Sequence, residues 1–180
     1  MVRSGGGEGV SHVLLREVLA EAGIPAFPGA AELLAVHANE MLRWNRSIRL
    51  TAITDPVAVA VKHVADSLLL LRFGPFPGRI LDFGSGAGYP GIPLAMYLPG
   101  TRVTLLEASV KKCAFLSRAR GMLRLSNVDV VQARAEEGGK SPPTCCGRSS
   151  QRRGSRPTPG RLRCLRSTPT RCSGGTGRSA

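Results

Sequence analysis

The chain has 180 residues, the length of one domain, with 25 Lys and Arg against 12 Asp and Glu, a net charge of +13. Residues 1–137 hold 15 of the basic and all 12 of the acidic residues, so ten basic residues and no acid remain for 138–180, where most of the net charge sits. No apolar stretch approaches the ~20 residues of a membrane span, and the N-terminal Met1–Gly7 lacks the apolar core of a secretory signal, so a cytoplasmic protein is expected. Four of the five cysteines (Cys145, Cys146, Cys164, Cys172) fall in the last segment with no zinc-type spacing and no nearby histidine, so neither a metal site nor disulfides are expected.

In chain order, Ser11 can N-cap a helix over about His12–Ala22, with Val13, Leu14, Val18 and Leu19 near one face and Gly23 as its stop. A second helix is predicted over roughly Gly29–Trp44, with Leu33, Leu34, Met41 and Leu42 apolar. Thr54-Asp55-Pro56 gives an N-cap followed by proline at the first helical position. The third helix then runs to about Arg72, with Val57, Val61, Val64, Leu68 and Leu71 three or four residues apart. Residues 74–78, Gly-Pro-Phe-Pro-Gly, break it.

Beyond this break the period changes. Strands are predicted at Arg79–Phe83, Arg102–Glu107 and Val128–Gln132, with helices near Ile92–Tyr97 and over Lys111–Leu123. That β-α-β-α-β order implies parallel strands joined by right-handed crossovers, with helices on both faces. The predicted organisation is a helical cap over 1–73, a partial α/β domain over 79–137, and a segment over 138–180 of Gly, Ser, Thr, Pro, Arg and Cys. That last segment has too little apolar area to offset chain entropy and is expected to be disordered. With one Lys and no acid it reads like GC-rich coding DNA translated in a wrong frame, so a frameshift soon after Glu137 is expected. A genuine Arg-rich RNA-binding tail is the alternative, although it lacks interleaved aromatics or a repeat.

The stretch Asp82-Phe83-Gly84-Ser85-Gly86-Ala87-Gly88-Tyr89-Pro90-Gly91 carries the chemistry. Glycines let the chain turn sharply off a strand end and let a ligand approach the backbone. From Gly86 it satisfies G-x-G-x-x-G, the dinucleotide fingerprint; from Asp82 it satisfies acid-x-G-x-G-x-G, the first motif of S-adenosylmethionine methyltransferases. A carboxylate at the strand end repels a pyrophosphate but tolerates a cationic sulfonium ligand, and Pro90 and Pro93 interrupt the helix start that a pyrophosphate would use. A methyltransferase is therefore favoured over a nicotinamide-dependent oxidoreductase. Glu107 ends the second strand, 25 residues after Asp82, where a carboxylate can accept both ribose hydroxyls. Arg134-Ala135-Glu136-Glu137 follows the third strand at the same sheet edge.

Several segments resemble the RsmG (GidB, glucose-inhibited division protein B) family of 16S rRNA guanine-N7 methyltransferases. They are Trp44–Ile53 (WNRSIRLTAI), Lys62–Leu68 (KHVADSL), Leu81–Pro93 (LDFGSGAGYPGIP), Val103–Glu107, Lys111–Leu116 and Arg134–Glu137, together spanning roughly Leu33–Glu137. The P-G-I-P after the glycine turn is specific to that family, whereas the turn alone is not. The resemblance implies a class I S-adenosylmethionine methyltransferase fold, Rossmann-like with a parallel sheet incomplete here, preceded by an N-terminal helical cap. It implies methyl transfer from S-adenosylmethionine to N7 of one guanine in the 16S rRNA of the small ribosomal subunit, by a monomer. By family position the cofactor is held by Gly84, Gly86, Gly88 and Tyr89 in the turn, by Glu107, Ala108 and Ser109 at the ribose, and by Ala135 and Glu136 at the adenine. Glu107 stands where the family usually has Asp, and Tyr89 where it commonly has Phe or Leu.

Guanine N7 has an in-plane lone pair and no proton, so no general base is nominated; positioning and exclusion of water are the enzyme's task. Arg46, Arg49, Lys62 and His63 are candidates for holding the rRNA backbone, with His63 alternatively a helix-face histidine bonded to Asp66. Trp44 and Cys113 read as core. The family's later strands are not recognisable after Glu137, so the first strand is expected to form an exposed parallel edge, in a chain of low stability and activity. A non-catalytic fragment with a basic RNA-binding tail is the alternative to the enzyme.

Overall fold

Helices start where the sequence supplies caps. The Ser11 hydroxyl accepts the Leu14 N–H at 3.1 Å and opens α1 (His12–Glu21), which buries Leu15, Val18 and Leu19. Helix α2 (Ala30–Asn45) follows Gly29 and buries a wide stripe of small and apolar residues, among them Ala31, Leu34, Ala38 and Met41, together with His37 and Glu40. Val13, predicted on the apolar face of the first helix, is 53% exposed, and Leu15 takes its place inside. The computed structural model describes residues 9–76 and 78–134. Ala135, Glu136 and the segment 138–180, with the disorder and frameshift expected there, lie outside the described residues.

Asp55 caps the third helical stretch through Ala58 N–H at 2.8 Å, with Pro56 at its first position. A single regular helix was the expectation. Instead α3 (Pro56–Val59) passes into a π-helical segment (Ala60–Ala65), then α4 (Asp66–Leu69) and a 3-10 turn (Leu70–Phe73). Ser67 Oγ donates to the His63 carbonyl, a back-bond of the kind that perturbs a regular helical ladder. The wider turn shifts the phase of the apolar stripe, so that Val59, Val64 and Leu68 are buried while Val61 is exposed.

Strands β1 (Arg79–Phe83), β2 (Arg102–Glu107) and β3 (Val128–Gln132) form a parallel sheet in the order β1-β2-β3. Ile80 pairs with Val103 and Val103 with Val128; Asp82 pairs with Leu105 and Leu105 with Val130. Helices α5 (Gly91–Tyr97) and α6 (Val110–Met122) make the two crossovers. Contrary to the expectation of helices on both faces, both helices cover the same face. Strand order runs steadily in one direction, and two right-handed crossovers made in one direction place their helices on one side. Val103, Leu105, Val128 and Val130 are buried beneath them, whereas Leu81 and Phe83, on the other face of β1, are each 61% exposed. Asn127 closes the end of α5 by donating to the carbonyls of Ala95, Leu98 and Thr101.

One contiguous core joins the helical segment to the sheet, with Leu34 and Met41 in the same cluster as Ile92, Leu105 and Phe115. Glu40 fastens α2 to α6 at the rim of that core. It accepts from Arg43 Nε at 2.8 Å, from Trp44 Nε1 at 2.9 Å and from Arg118 Nε. The Arg43 guanidinium, aided by Arg118 and Trp44, holds the Glu40 carboxyl down to about 2 against the opposing effect of burial. A depressed carboxylate stabilises the fold above its unfolded pKa and loses that contribution as pH falls toward its folded value. Replacing Glu40 by alanine is expected to lower stability at pH 7 by about 2 kcal/mol, chiefly through lost charged hydrogen bonds and an unpaired indole N–H. Urea denaturation of the two proteins checks this, and an unchanged midpoint would contradict it.

Candidate active site

The turn after β1 is built from its own backbone. Gly84 and Ser85 N–H both donate to the Leu106 carbonyl, at 2.8 and 3.1 Å, and Ser85 Oγ donates to the Asp82 carbonyl at 2.9 Å. Gly84, Gly86 and Gly88 have φ of 76°, 52° and 83°, a region that side-chain-bearing residues rarely enter. A Cβ at Gly84 would project into open space, so the outer side of the turn is free for a ligand to approach. A Cβ at Gly88 would lie 2.5 Å from Ile92 Cδ1, so the inner side is packed.

Two carboxylates hold this turn from different sides. Glu107, buried at the end of β2, accepts Gly86 N–H at 3.0 Å through Oε2 and Ser109 N–H at 2.9 Å through Oε1. It therefore ties the end of β1 to the start of α6, with Ala108 exposed between. Asp82, the acid that opens the glycine motif, turns inward. Its Oδ2 accepts Gly91 N–H at 3.0 Å at the start of α5. Burial pushes its carboxyl above the usual range, opposed by the bonds from Gly91 and Ser85. A pyrophosphate would need that helix N-terminus, and here the chain's own carboxylate already occupies it.

Tyr89 belongs to the turn by its backbone, but its ring lies in a column of rings. Its centroid is 4.7 Å from His37 and 4.9 Å from His63, and its hydroxyl, pushed to a higher pKa by burial, has no partner among the described residues. His37 is fully buried, with Nε2 at 3.1 Å from the Ala87 carbonyl. Because a carbonyl only accepts, Nε2 carries the proton and Nδ1 is left as an unpaired acceptor. Burial lowers this histidine to about 4, and the nearby His63 acts in the same direction against the Ala87 bond.

His63 is half-buried, bonded to Thr51 Oγ1 at 2.8 Å rather than to Asp66, and stacked on Tyr89 at an interplanar angle of 12°. Burial lowers its pKa, with Asp66 opposing. Thr51 is held in turn by Asn45, which accepts Leu50 and Thr51 N–H and donates to the Thr51 carbonyl. The loop closed by Asn45 presents Arg46 and Arg49 at the surface. Arg46, Arg49 and Lys62 are exposed and form no ion pair among the described residues.

The fold thus brings Gly84, Gly86, Gly88, Glu107, Ala108 and Ser109 to one sheet edge, and connects Tyr89 to His63 beside it. Arg46 and Arg49 stand on a separate loop. Sequence reasoning passed over His37, Asn45, Thr51 and the blocking role of Asp82. His37 was findable, because it lies three residues after Leu34 and four before Met41 on the buried face of α2. Trp44 packs against the core and Cys113 is buried, with its thiol 3.2 Å from the Glu107 carbonyl.

A parallel sheet whose first strand opens into a three-glycine turn, with an acid at the end of the second strand and the start of the helix after that turn already taken by Asp82, is the core of a class I methyltransferase. Comparison with known proteins agrees. A family model for GidB, rRNA small subunit methyltransferase G, matches residues 30–147, and the chain belongs to that family. It is 41% identical over 123 residues to ribosomal RNA small subunit methyltransferase G of Geobacter sp. (strain M21), covering 68% of this chain and 57% of the relative. To the protein of the same name in Anaeromyxobacter sp. (strain Fw109-5) it is 43% identical over 134 residues, 73% of this chain and 62% of the relative. To that of Xylella fastidiosa (strain M23) it is 47% identical over 103 residues, 57% and 48%. The chain therefore spans roughly half to three fifths of the length of these curated relatives. Membership sets aside the nicotinamide alternative. No helix among the described residues is long and apolar enough to cross a membrane, and no group of three or more His, Cys, Asp or Glu there could hold a metal ion.

Proposed function

We propose that the chain binds S-adenosylmethionine at the β1 turn and serves methyl transfer to N7 of a guanine in 16S rRNA, in the cytoplasm. The observation that carries this reading is Glu107, a buried carboxylate whose two oxygens lie on the backbone of both the glycine turn and the start of α6. A ribose diol placed there would find two acceptor oxygens with adjacent backbone N–H groups. The open side of Gly84 leaves room for the amino-acid portion beside it. Gly86, Gly88 and Tyr89 set the shape of the turn, Ala108 and Ser109 border the ribose, and family position adds Ala135 and Glu136 at the adenine.

S-adenosylmethionine supplies, when bound, an electrophilic methyl group on sulfur. Guanine N7 has a lone pair and no proton, so methylation there, with the carbon–sulfur bond breaking to leave S-adenosylhomocysteine, would need no base from this chain. Its residues need only hold the two partners in line and keep water out. Arg46, Arg49 and Lys62, exposed and without ion pairs among the described residues, fit contacts to phosphate.

Calorimetric titration of the full chain with S-adenosylmethionine tests the reading. Uptake is expected, with no uptake of NAD, and Glu107→Gln is expected to weaken it by about tenfold or more, since a charged acceptor is lost. A chain that takes up no S-adenosylmethionine, or whose affinity ignores that substitution, would count against the proposal.

A further inference from the structure

Phe115, His37, Tyr89 and His63 form a column of rings that begins in the core and ends at the surface. Phe115 and His37 have centroids 6.2 Å apart at 21°, His37 and Tyr89 are 4.7 Å apart, and Tyr89 and His63 are 4.9 Å apart at 12°. His37 and Phe115 are fully buried, whereas His63 is half-buried. Tyr89 covers one face of the His63 imidazole, and among the described residues no ring covers the other. The ring is not free to turn, because Thr51 Oγ1 holds its Nε2 edge at 2.8 Å while itself accepting Ile53 N–H at 3.1 Å. The outermost member is therefore a part-exposed imidazole held at its Nε2 edge by Thr51 and on one face by Tyr89, through which it reaches the glycine turn. The same Asn45-closed loop that fixes Thr51 carries Arg46 and Arg49.

A part-exposed aromatic ring with a fixed plane, bonded to a loop that carries exposed cations, fits the arrangement that single-stranded nucleic acid uses: bases stack on rings while phosphates meet the cations. We infer that His63 is a stacking platform for an unpaired purine base of RNA, presenting that base to the glycine turn. This differs from a contact to the RNA backbone, because its partner is the flat face of a base. It rests on the reading that this turn serves rRNA methylation. The column explains why a histidine suits the position: its outer face stacks while its edge accepts or donates to Thr51.

The test titrates the full chain into a fluorescent, short, purine-only single-stranded RNA and into the same strand with abasic sites, followed by anisotropy at two salt concentrations. The unaltered chain is expected to prefer the purine strand. His63→Leu, which keeps bulk without a π face, is expected to weaken purine binding roughly 5- to 150-fold and to erase the preference, while His63→Phe keeps it. Salt dependence should be the same in all three, whereas replacing Arg46 and Arg49 by alanine should weaken both strands alike and flatten it. Loss of the preference in His63→Leu with rescue in His63→Phe distinguishes a platform from a merely structural ring. No purine preference in the unaltered chain, or a preference that survives His63→Leu, would overturn the inference. If the preference depends on His63 but the same protein takes up no S-adenosylmethionine, the platform stands and the methyl-transfer reading falls.

Discussion

Gly91→Ala is expected to destabilise the protein by about 2–5 kcal/mol, a large part of the 5–15 kcal/mol typical of a domain. The added Cβ would lie 2.3 Å from Leu105 Cδ2 and 2.6 Å from Asp82 Oδ2, distances at which something must move. Neither neighbour moves freely. Leu105 is fully buried in the middle strand of the described sheet, and the Asp82 carboxylate is fixed by the very N–H of Gly91 that the new methyl would crowd. The two costs therefore act together: overpacking of the α5–sheet contact, and weakening of a bond that satisfies a buried carboxylate. The steric term does not come from backbone conformation, since Gly91 is not among the glycines of positive φ. Denaturant unfolding followed by circular dichroism measures the effect, with Gly100→Ala as control, because a Cβ at Gly100 meets nothing within 4 Å. Equal midpoints for the two variants would show that the site yields.

Acid is expected to weaken the fold through His37. Its folded pKa is about 4 against 6.5 for a free imidazole, because burial disfavours the charged ring. The unfolded chain therefore binds the proton more readily, and stability rises with pH across that interval. Taking pH down from about 6.5 to about 4 should remove on the order of 3 kcal/mol, with little further loss from this group below that. His63, also lowered by burial, contributes with the same sign, while Glu40 titrates lower, near 2. His37→Phe keeps a ring between Tyr89 and Phe115 but cannot be protonated. Urea midpoints at pH 7, 5.5 and 4.5 should fall steeply in the unaltered chain and less steeply in this variant. Parallel slopes would assign the acid sensitivity elsewhere.

Both effects arise at positions whose importance depends on contacts between distant segments. Gly91 and Asp82 are nine residues apart and meet only because β1 and α5 fold back on one turn. His37 meets Ala87 fifty residues away. Local signals read correctly wherever a residue acts on its near neighbours. Ser11 and Asp55 cap the helices they precede, and the three strands occupy the predicted residues because short β-branched and apolar runs favour extended pairing. Glycine periodicity marked the turn, since only glycine suits three successive positive φ values at alternate positions.

The sequence by itself thus determined the order of elements, the parallel sheet, the glycine turn with Glu107 opposite, and the family. Each of these depends on residue type and spacing along the chain. Tertiary structure alone decided that both crossover helices share one face, that Asp82 caps α5, and that Thr51, His63, Tyr89 and His37 form a single connected column. These outcomes depend on which side chains packing brings within reach once burial makes each unpaired polar group costly, and spacing along the chain does not encode that reach.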